Sequence, residues 1–192
     1  FQKVNGDGTG PNNHEVAAQA GYNVVTTQAG AAALKAGAGK TLINAENLAD
    51  GKAMNYAMDA APGEWQLTDY VRKGIELLDN SNGFFMMVES GKIDWACHAN
   101  DAAASIHDVI EMHNAVQAAV EFYAQHPDDT LILVTADHET GGLGIGYKTT
   151  NYDTFLTNLA HQKMSYAKFD STYVNNYVKN QTPFETAMQD VK

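Results

Sequence analysis

The chain has 192 residues, 44% hydrophobic and 18% charged, with 12 basic against 23 acidic side chains and a formal charge of −11. This is globular composition, long enough to bury a core without staples, and it lacks the basic surface with which a nucleic-acid binder neutralises phosphates. A phosphate-handling enzyme stays open, because carboxylates hold the cations that bind phosphate. In chain order, residues 13–20 predict a short helix and YNVV (22–25) a short strand. Residues 28–37 predict a second helix that stops at a glycine, and TLINA (41–45) another strand. That rhythm predicts a mostly parallel sheet. Residues 46–65 read as irregular. Leu67, Tyr70, Val71, Gly74, Leu77 and Leu78 then repeat at helical spacing, ended by Asn80 to Gly83. FFMMV (84–88) is apolar throughout, as a strand covered on both faces would be, and a polar loop follows it. A long helix is predicted from about Asn100 to Gln125, capped by Asn100 or Asp101. Its apolar stripe is Ile106, Val109, Ile110, His113, Val116, Val120 and Tyr123, and His126-Pro127 stops it. TLILVT (130–135) is a second buried-strand candidate, followed by the polar loop ADHETGG (136–142). Beyond it, LGIGY (143–147) reads as a short strand, and 152–161, 165–179 and 183–191 as helical pieces.

One cysteine, Cys97, excludes an internal disulfide framework. The longest apolar runs are far short of the roughly 20 residues of a membrane span, so none is expected. The chain begins at Phe1 with no leader pattern, so its compartment is not readable from the residues. Asn180-Gln181-Thr182 matches a glycosylation triplet, a pattern common by chance.

A right-handed crossover through the long helix would make 84–88 and 130–135 parallel. Their carboxyl ends would share one edge of the sheet, where ligands of α/β folds sit. Glu89, Asp94 and His98 follow the first run; Asp137, His138 and Glu139 follow the second. Mixed carboxylate and imidazole ligands suit Zn2+. Glu89, with no histidine beside it, suits a harder ion such as Mg2+. Two cations about 3.5–4 Å apart can clamp a phosphoryl transfer. Taken singly, each residue is more often a cap or a surface group. Two acid-plus-histidine segments at adjacent strand ends are a poorer match to chance. Spacing alone chooses neither the metal nor the reaction.

The stretches GFFMMVESGKIDWACHANDAAASIHD (83–108) and TLILVTADHETGGL (130–143) closely resemble the alkaline phosphatase family. The shared pattern is V-E-x-G-x-I-D-x-x-x-H-x-N-D followed by T-A-D-H-E-T-G-G, with a weaker likeness at GYNVVT (21–26). The likeness runs from about residue 1 to 145 and on toward 192. It implies a three-layer α/β/α fold with a mostly parallel sheet, residues 1–192 forming one partial domain. It also implies a zinc- and magnesium-dependent hydrolase of phosphate monoesters, in which a serine attacks phosphorus and the phosphoserine is then hydrolysed. Carried over residue by residue, Asp94 and His98 bind a first zinc, Asp137 and His138 a second, and Glu89 a magnesium. Trp95 occupies a position that varies in the family and lies near the phosphate; it either tunes phosphate release or specificity, or simply packs there. Family members are usually periplasmic or secreted and often dimeric, so a homodimer is a further implication.

Several family parts have no match. The nucleophile belongs to an Asp-Ser-Ala type segment; Asp170-Ser171-Thr172 stands in the wrong order and reads as a cap or turn. An Asp bridging zinc and magnesium, a hydroxyl magnesium ligand and a phosphate-forking Arg cannot be placed. The first zinc lacks its third ligand, since His161 has the wrong context. His14, His107, His113 and His126 read as surface or helix-face residues. The expectation is therefore an internal portion of a longer enzyme, with about half of the metal ligands, inactive by itself because catalysis needs the whole constellation. An unpaired sheet edge should favour self-association. The competing readings are phosphoglycerate mutases, sulfatases and phosphodiesterases of the same superfamily, which differ in nucleophile, and a non-catalytic metal-binding or structural module. A zinc buffer fits poorly, because tight zinc sites want four ligands.

Overall fold

The computed structural model describes residues 9–144 and 153–191. The chain opens with a small β-α-β unit. Helix α1 (Asn13–Gln19) starts at a reciprocal cap, in which Asn12 Oδ1 accepts from the Glu15 amide and Glu15 Oε2 accepts from the Asn12 amide, each at 2.9 Å. Strand β1 (Asn23–Val25) pairs in parallel with β2 (Thr41–Ile43), in the register Asn23↔Thr41, Val24↔Leu42 and Val25↔Ile43. Helix α2 (Gln28–Ala33) makes the crossover, capped by Thr27 Oγ1 on the Gly30 amide at 3.1 Å. It stops earlier than its sequence suggests, as the chain reaches the left-handed glycines Gly37 and Gly39. The parallel pairing and the helical crossover are those of the expected α/β class.

The irregular 46–65 segment contains two 3-10 turns, Asp50–Lys52 and Ala57–Asp59, between which Tyr56 is buried. Three helices form the main body: α3 (Leu67–Leu78), α4 (Gly91–His98) and α5 (Ala102–Tyr123). One core lies between α3 and α5, where Val71, Ala115 and Ala118 meet Leu67, Ile75, Met86 and Val88. Thr68 anchors that contact, donating from its amide (2.8 Å) and hydroxyl (2.6 Å) to Glu111 Oε1. A second core lies between α4 and α5, where Tyr56, Ala96 and Ala104 meet Met58 and Ala167. Helix α5 contributes alanines to both cores, Ala115 and Ala118 to the first and Ala104 to the second, so its neighbours can approach it closely.

This packing corrects the expected face of the long helix. Ala103, Ala104, Ser105, Asp108, Ala115 and Ala118 are buried, whereas Ile106, Val109, Ile110, Val120 and Tyr123 of the predicted stripe are exposed. Helix α5 is apolar on both sides, and the large-residue side is bare. The segment expected as a polar loop after residue 88 is also corrected: residues 91–98 are helical.

The two apolar runs depart from expectation as well. Neither 84–88 nor 130–135 belongs to a paired strand among the described residues. Residues 84–88 alternate instead. Phe84, Met86 and Val88 turn toward the helices, with Phe84 edge-on to Phe122 at 5.6 Å and the other two in the α3–α5 core. Phe85 is 88% exposed and Met87 is exposed with it. In the second run Leu131 is 81% exposed, and both Leu133 and its neighbour Val134 are exposed with it. The period-two burial of 84–88 belongs to an extended segment with one face covered, and the expectation of cover on both faces fails for both runs.

The C-terminal part is a series of short helical pieces. A 3-10 turn spans Leu156–His161, followed by α6 (Tyr166–Phe169), a wide helical turn at Asp170–Val174, α7 (Asn175–Asn180) and α8 (Phe184–Val191). Two carboxylates fasten it to the body. Asp59 accepts from the Ser165 amide at 3.0 Å and from its hydroxyl, and Asp101 accepts from the Tyr166 amide at 2.6 Å and Gln162 Nε2 at 2.7 Å. Asp170 and Ser171 lie within the helical turn, in keeping with their reading as local structure. Most of the predicted strand 143–147 lies outside the described residues. No helix among the described residues is long and apolar enough to cross a membrane.

Candidate metal centre

Helix α4 sorts its residues by face. Lys92 and Ala96, four apart, point inward, and Ala96 is fully buried. Asp94 and His98, also four apart, therefore fall on the outer side. His98 Nε2 stands 3.6 Å from Asp94 Oδ1, with the His98 side chain largely open to solvent and the Asp94 side chain about one-third exposed. After α4 the chain turns sharply at Asn100, whose φ is 54°, and Asp101 caps α5 on the Ala104 amide at 3.1 Å. The helix carrying the first pair is thus locked to the longest helix in the molecule.

The second pair comes from the 136–142 loop, which docks on the outer side of α4. Thr140 Oγ1 donates to Asp94 Oδ1 at 2.9 Å. Gly141, at φ 63°, lies so close to α4 that a Cβ there would stand 2.6 Å from the Cys97 carbonyl oxygen and 3.0 Å from His98 Cα. Only glycine meets both conditions. Thr140 and Gly141 thus sit on the side of α4 that carries Asp94 and His98, and His138 is near enough for the Asp94 charge to act on it.

Within the loop, His138 Nδ1 donates to the Glu139 carbonyl at 2.9 Å. Nε2 then lies 3.3 Å from Asp137 Oδ2. A neutral imidazole with its proton on Nδ1 presents a lone pair at Nε2. Lone pair and carboxylate oxygen repel unless a cation lies between them, either a proton or a metal ion. The shift of His138 reflects the proton case: the hydrogen bond to Glu139 raises its pKa first, and the Asp137 charge adds to it, with Asp94 contributing further. The backbone contact that fixes the ring is the usual support of a metal-ligating histidine.

The donor chemistry of both pairs suits a divalent cation with oxygen and nitrogen ligands. Each pair offers two donor side chains, and among the described residues no group of three His, Cys, Asp or Glu side chains is gathered to hold an ion. The residues therefore fit as two half-sites. Glu89 is exposed and folds over the start of α4, where a Cβ on Gly91 would stand 3.4 Å from its Oε1. His161 belongs to a different cavity, with Asp101, Gln162, Tyr166, Phe169 and Tyr173. Trp95, next to Asp94, is partly exposed, with its ring against Gly51. Thr140 and Gly141 were not singled out from sequence. The signal for Gly141 was available in the Gly-Gly pair, which permits positive φ; a threonine hydroxyl has no comparable signature.

Beneath α4 the inner face holds charge in a small space. Burial pushes Asp108 up to about 6, partly offset by the Ala57 amide at 3.4 Å and by the Lys92 charge. Burial together with the nearby carboxylates pushes Tyr56 up to about 12.

The chain is similar to known proteins in both sequence and fold. The family model described as alkaline phosphatase matches residues 5–192. Alkaline phosphatase 4 of Bacillus subtilis is 40% identical over 129 residues, which is 67% of this chain and 26% of that protein. The alkaline phosphatase of Escherichia coli K12 is 43% identical over 81 residues, 42% of this chain and 16% of that protein. Among solved structures, the cold-active alkaline phosphatase of a psychrophilic Shewanella superposes with a TM-score of 0.72 at 28% identity, covering 85% of this chain and 40% of that one. The chain thus spans a minor part of the length of each relative.

Proposed function

Because the chain belongs to the alkaline phosphatase family, we propose that its two acid–imidazole pairs are half of the divalent-metal centre of a phosphate monoester hydrolase. Asp94 and His98 would hold one zinc ion and Asp137 and His138 another, with Glu89 available to a magnesium ion. When bound, such ions neutralise charge developing on phosphoryl oxygens. The chain's own residues orient the ligands: Thr140 fixes the Asp94 carboxylate, and the Glu139 carbonyl fixes the His138 ring with Nε2 turned to Asp137 Oδ2, 3.3 Å away, where one cation would meet both. The observation that carries the reading is the Thr140–Asp94 hydrogen bond, which ties the loop of the second pair to a member of the first across 46 residues of chain.

The nucleophile and the remaining ligands are read as belonging to other polypeptide of the same enzyme. Two features support this. The pairs leave zinc short of the four ligands it prefers. An apolar face at Phe85, Met87, Leu131 and Leu133, and another on α5, stay bare, as happens when a buried layer is seen without its cover. The 192 residues then act as one partial domain, and either face gives copies of the chain a surface for self-association.

Zinc titration by calorimetry tests the metal reading. His98→Ala and His138→Ala should each lower zinc affinity at least about tenfold, in line with losing a direct ligand. Unchanged affinity in both variants overturns it. The pure chain with zinc and magnesium should leave p-nitrophenyl phosphate intact; turnover of many per second would show that the nucleophile lies within these residues.

A further inference from the structure

Lys92 lies on the inner face of α4, beneath the ligand pair, in a site that leaves its ammonium without a hydrogen bond. The side chain is only 10% exposed, Nζ has no hydrogen-bond partner, and the nearest carboxylate oxygen, Asp50 Oδ2, is 3.6 Å away. What surrounds it is aromatic. Nζ stands 4.2 Å from the centroid of Tyr56 and 4.1 Å from that of Trp95. A buried ammonium needs compensation, and ring faces at this range supply it, with Asp50 adding a longer attraction.

The same arrangement restrains the indole. Trp95 follows Lys92 by three residues, so the two side chains are neighbours on the helix surface. The ring also meets the Asp50–Lys52 turn. Gly51 has φ 58°, and a Cβ there would stand 3.1 Å from Trp95 Cη2 and 3.3 Å from Cζ3. The ammonium and the glycine backbone thus hold the indole in place, and Asp50 ties that turn to the lysine. The residue so held is bonded directly to Asp94.

We propose that Lys92 is a positioning residue: with Gly51 it fixes the Trp95 indole as a rigid wall beside Asp94, where a phosphate ester would lie. The role of the wall rests on the reading of Asp94 and His98 as metal ligands; the fixing of the ring does not.

The experiment follows the indole alone. The chain has two tryptophans, so a Trp65→Phe background leaves Trp95 as the single reporter. In that background Lys92→Met should lose at least half of the near-ultraviolet circular dichroism band and raise the acrylamide quenching constant about twofold. Lys92→Arg, which keeps the cation, should restore both. A merely structural lysine would shift the unfolding midpoint alike in both variants and leave the arginine rescue absent. Equal signals in the methionine and arginine variants overturn the proposal. Proton NMR of the unsubstituted chain adds a test that needs no variant to fold: nuclear Overhauser contacts from the Lys92 ε-methylene to the Trp95 ring protons are expected, and their absence overturns it. Zinc titration of the same sample separates the two readings. A fixed indole in a chain without zinc affinity removes the ester pocket and with it the wall's role, whereas zinc binding with a loose indole overturns the positioning alone.

Discussion

The two acid–imidazole pairs have nearly the same chemistry and opposite supports. Asp94 and His98 sit four apart on a helix whose inner face is packed against Tyr56 and Ala104. Asp137 and His138 are adjacent on a loop outside any helix or paired strand, and the bond from Thr140 and the close approach of Gly141 dock that loop on α4. The helix pair inherits its geometry from backbone hydrogen bonds and burial. The loop pair keeps its geometry only while the loop stays docked. A site that needs both is therefore as precise as its loop, since sites on helices are held better than sites on loops.

The largest expected effect breaks the helix side of this comparison. Ala96 is fully buried against Tyr56 and Ala104. Ala96→Leu would overfill that contact and should cost about 1–3 kcal/mol, read as a lower urea midpoint with the slope unchanged. Because α4 carries Asp94 and His98, zinc affinity should fall along with stability. A midpoint within error of the parent would mean that α4 is not packed as described.

A smaller, local effect breaks the loop side. Gly141→Ala adds a left-handed alanine and a Cβ 2.6 Å from a backbone oxygen, so the loop must lift from α4. The backbone preference alone is about 1–2 kcal/mol. Zinc affinity should fall at least tenfold while the urea midpoint scarcely moves, because few buried contacts are lost. Equal losses in both measurements would show the loop to be part of the folding core.

The same contrast explains which parts of the molecule were legible in the sequence. The Asp94–His98 pair was visible because four-residue spacing and helical geometry are both local; only its helix was misread as a loop, since the Gly91 start and the polar residues hid an eight-residue helix. The buried face of α5 was misread for a different reason. Hydrophobic periodicity finds the largest aliphatic residues, but here close helix packing selected alanines, and Ile106, Val109 and Ile110 were left outside. The apolar runs at 84–88 and 130–135 were read as sheet strands because their composition asks for cover on two faces. One face of the first run is covered by α3 and α5, and its other face has no cover among the described residues. Docking of the loop depends on a threonine hydroxyl and a missing Cβ, neither of which has a periodic signature.

The smallest expected effect sharpens the comparison at one atom pair. In the metal-free chain, His138 should titrate above the ordinary histidine value of about 6.5, since the Glu139 carbonyl and then the Asp137 carboxylate both favour its imidazolium form. Asp137→Asn removes the second cause and keeps the first, so the midpoint should fall while staying on the raised side. Salt near 1 M should act in the same direction, because the group is exposed and a Debye length of about 3 Å screens its neighbour. Under the proposed reading a zinc ion must compete with that proton for the ring, so affinity at the loop pair should weaken as pH falls through the His138 midpoint. Carbon-bound imidazole resonances followed by NMR from pH 5 to 9 measure the metal-free midpoint directly. A midpoint indifferent to both the substitution and salt would mean that Asp137 does not face the ring in solution, against the 3.3 Å contact between them.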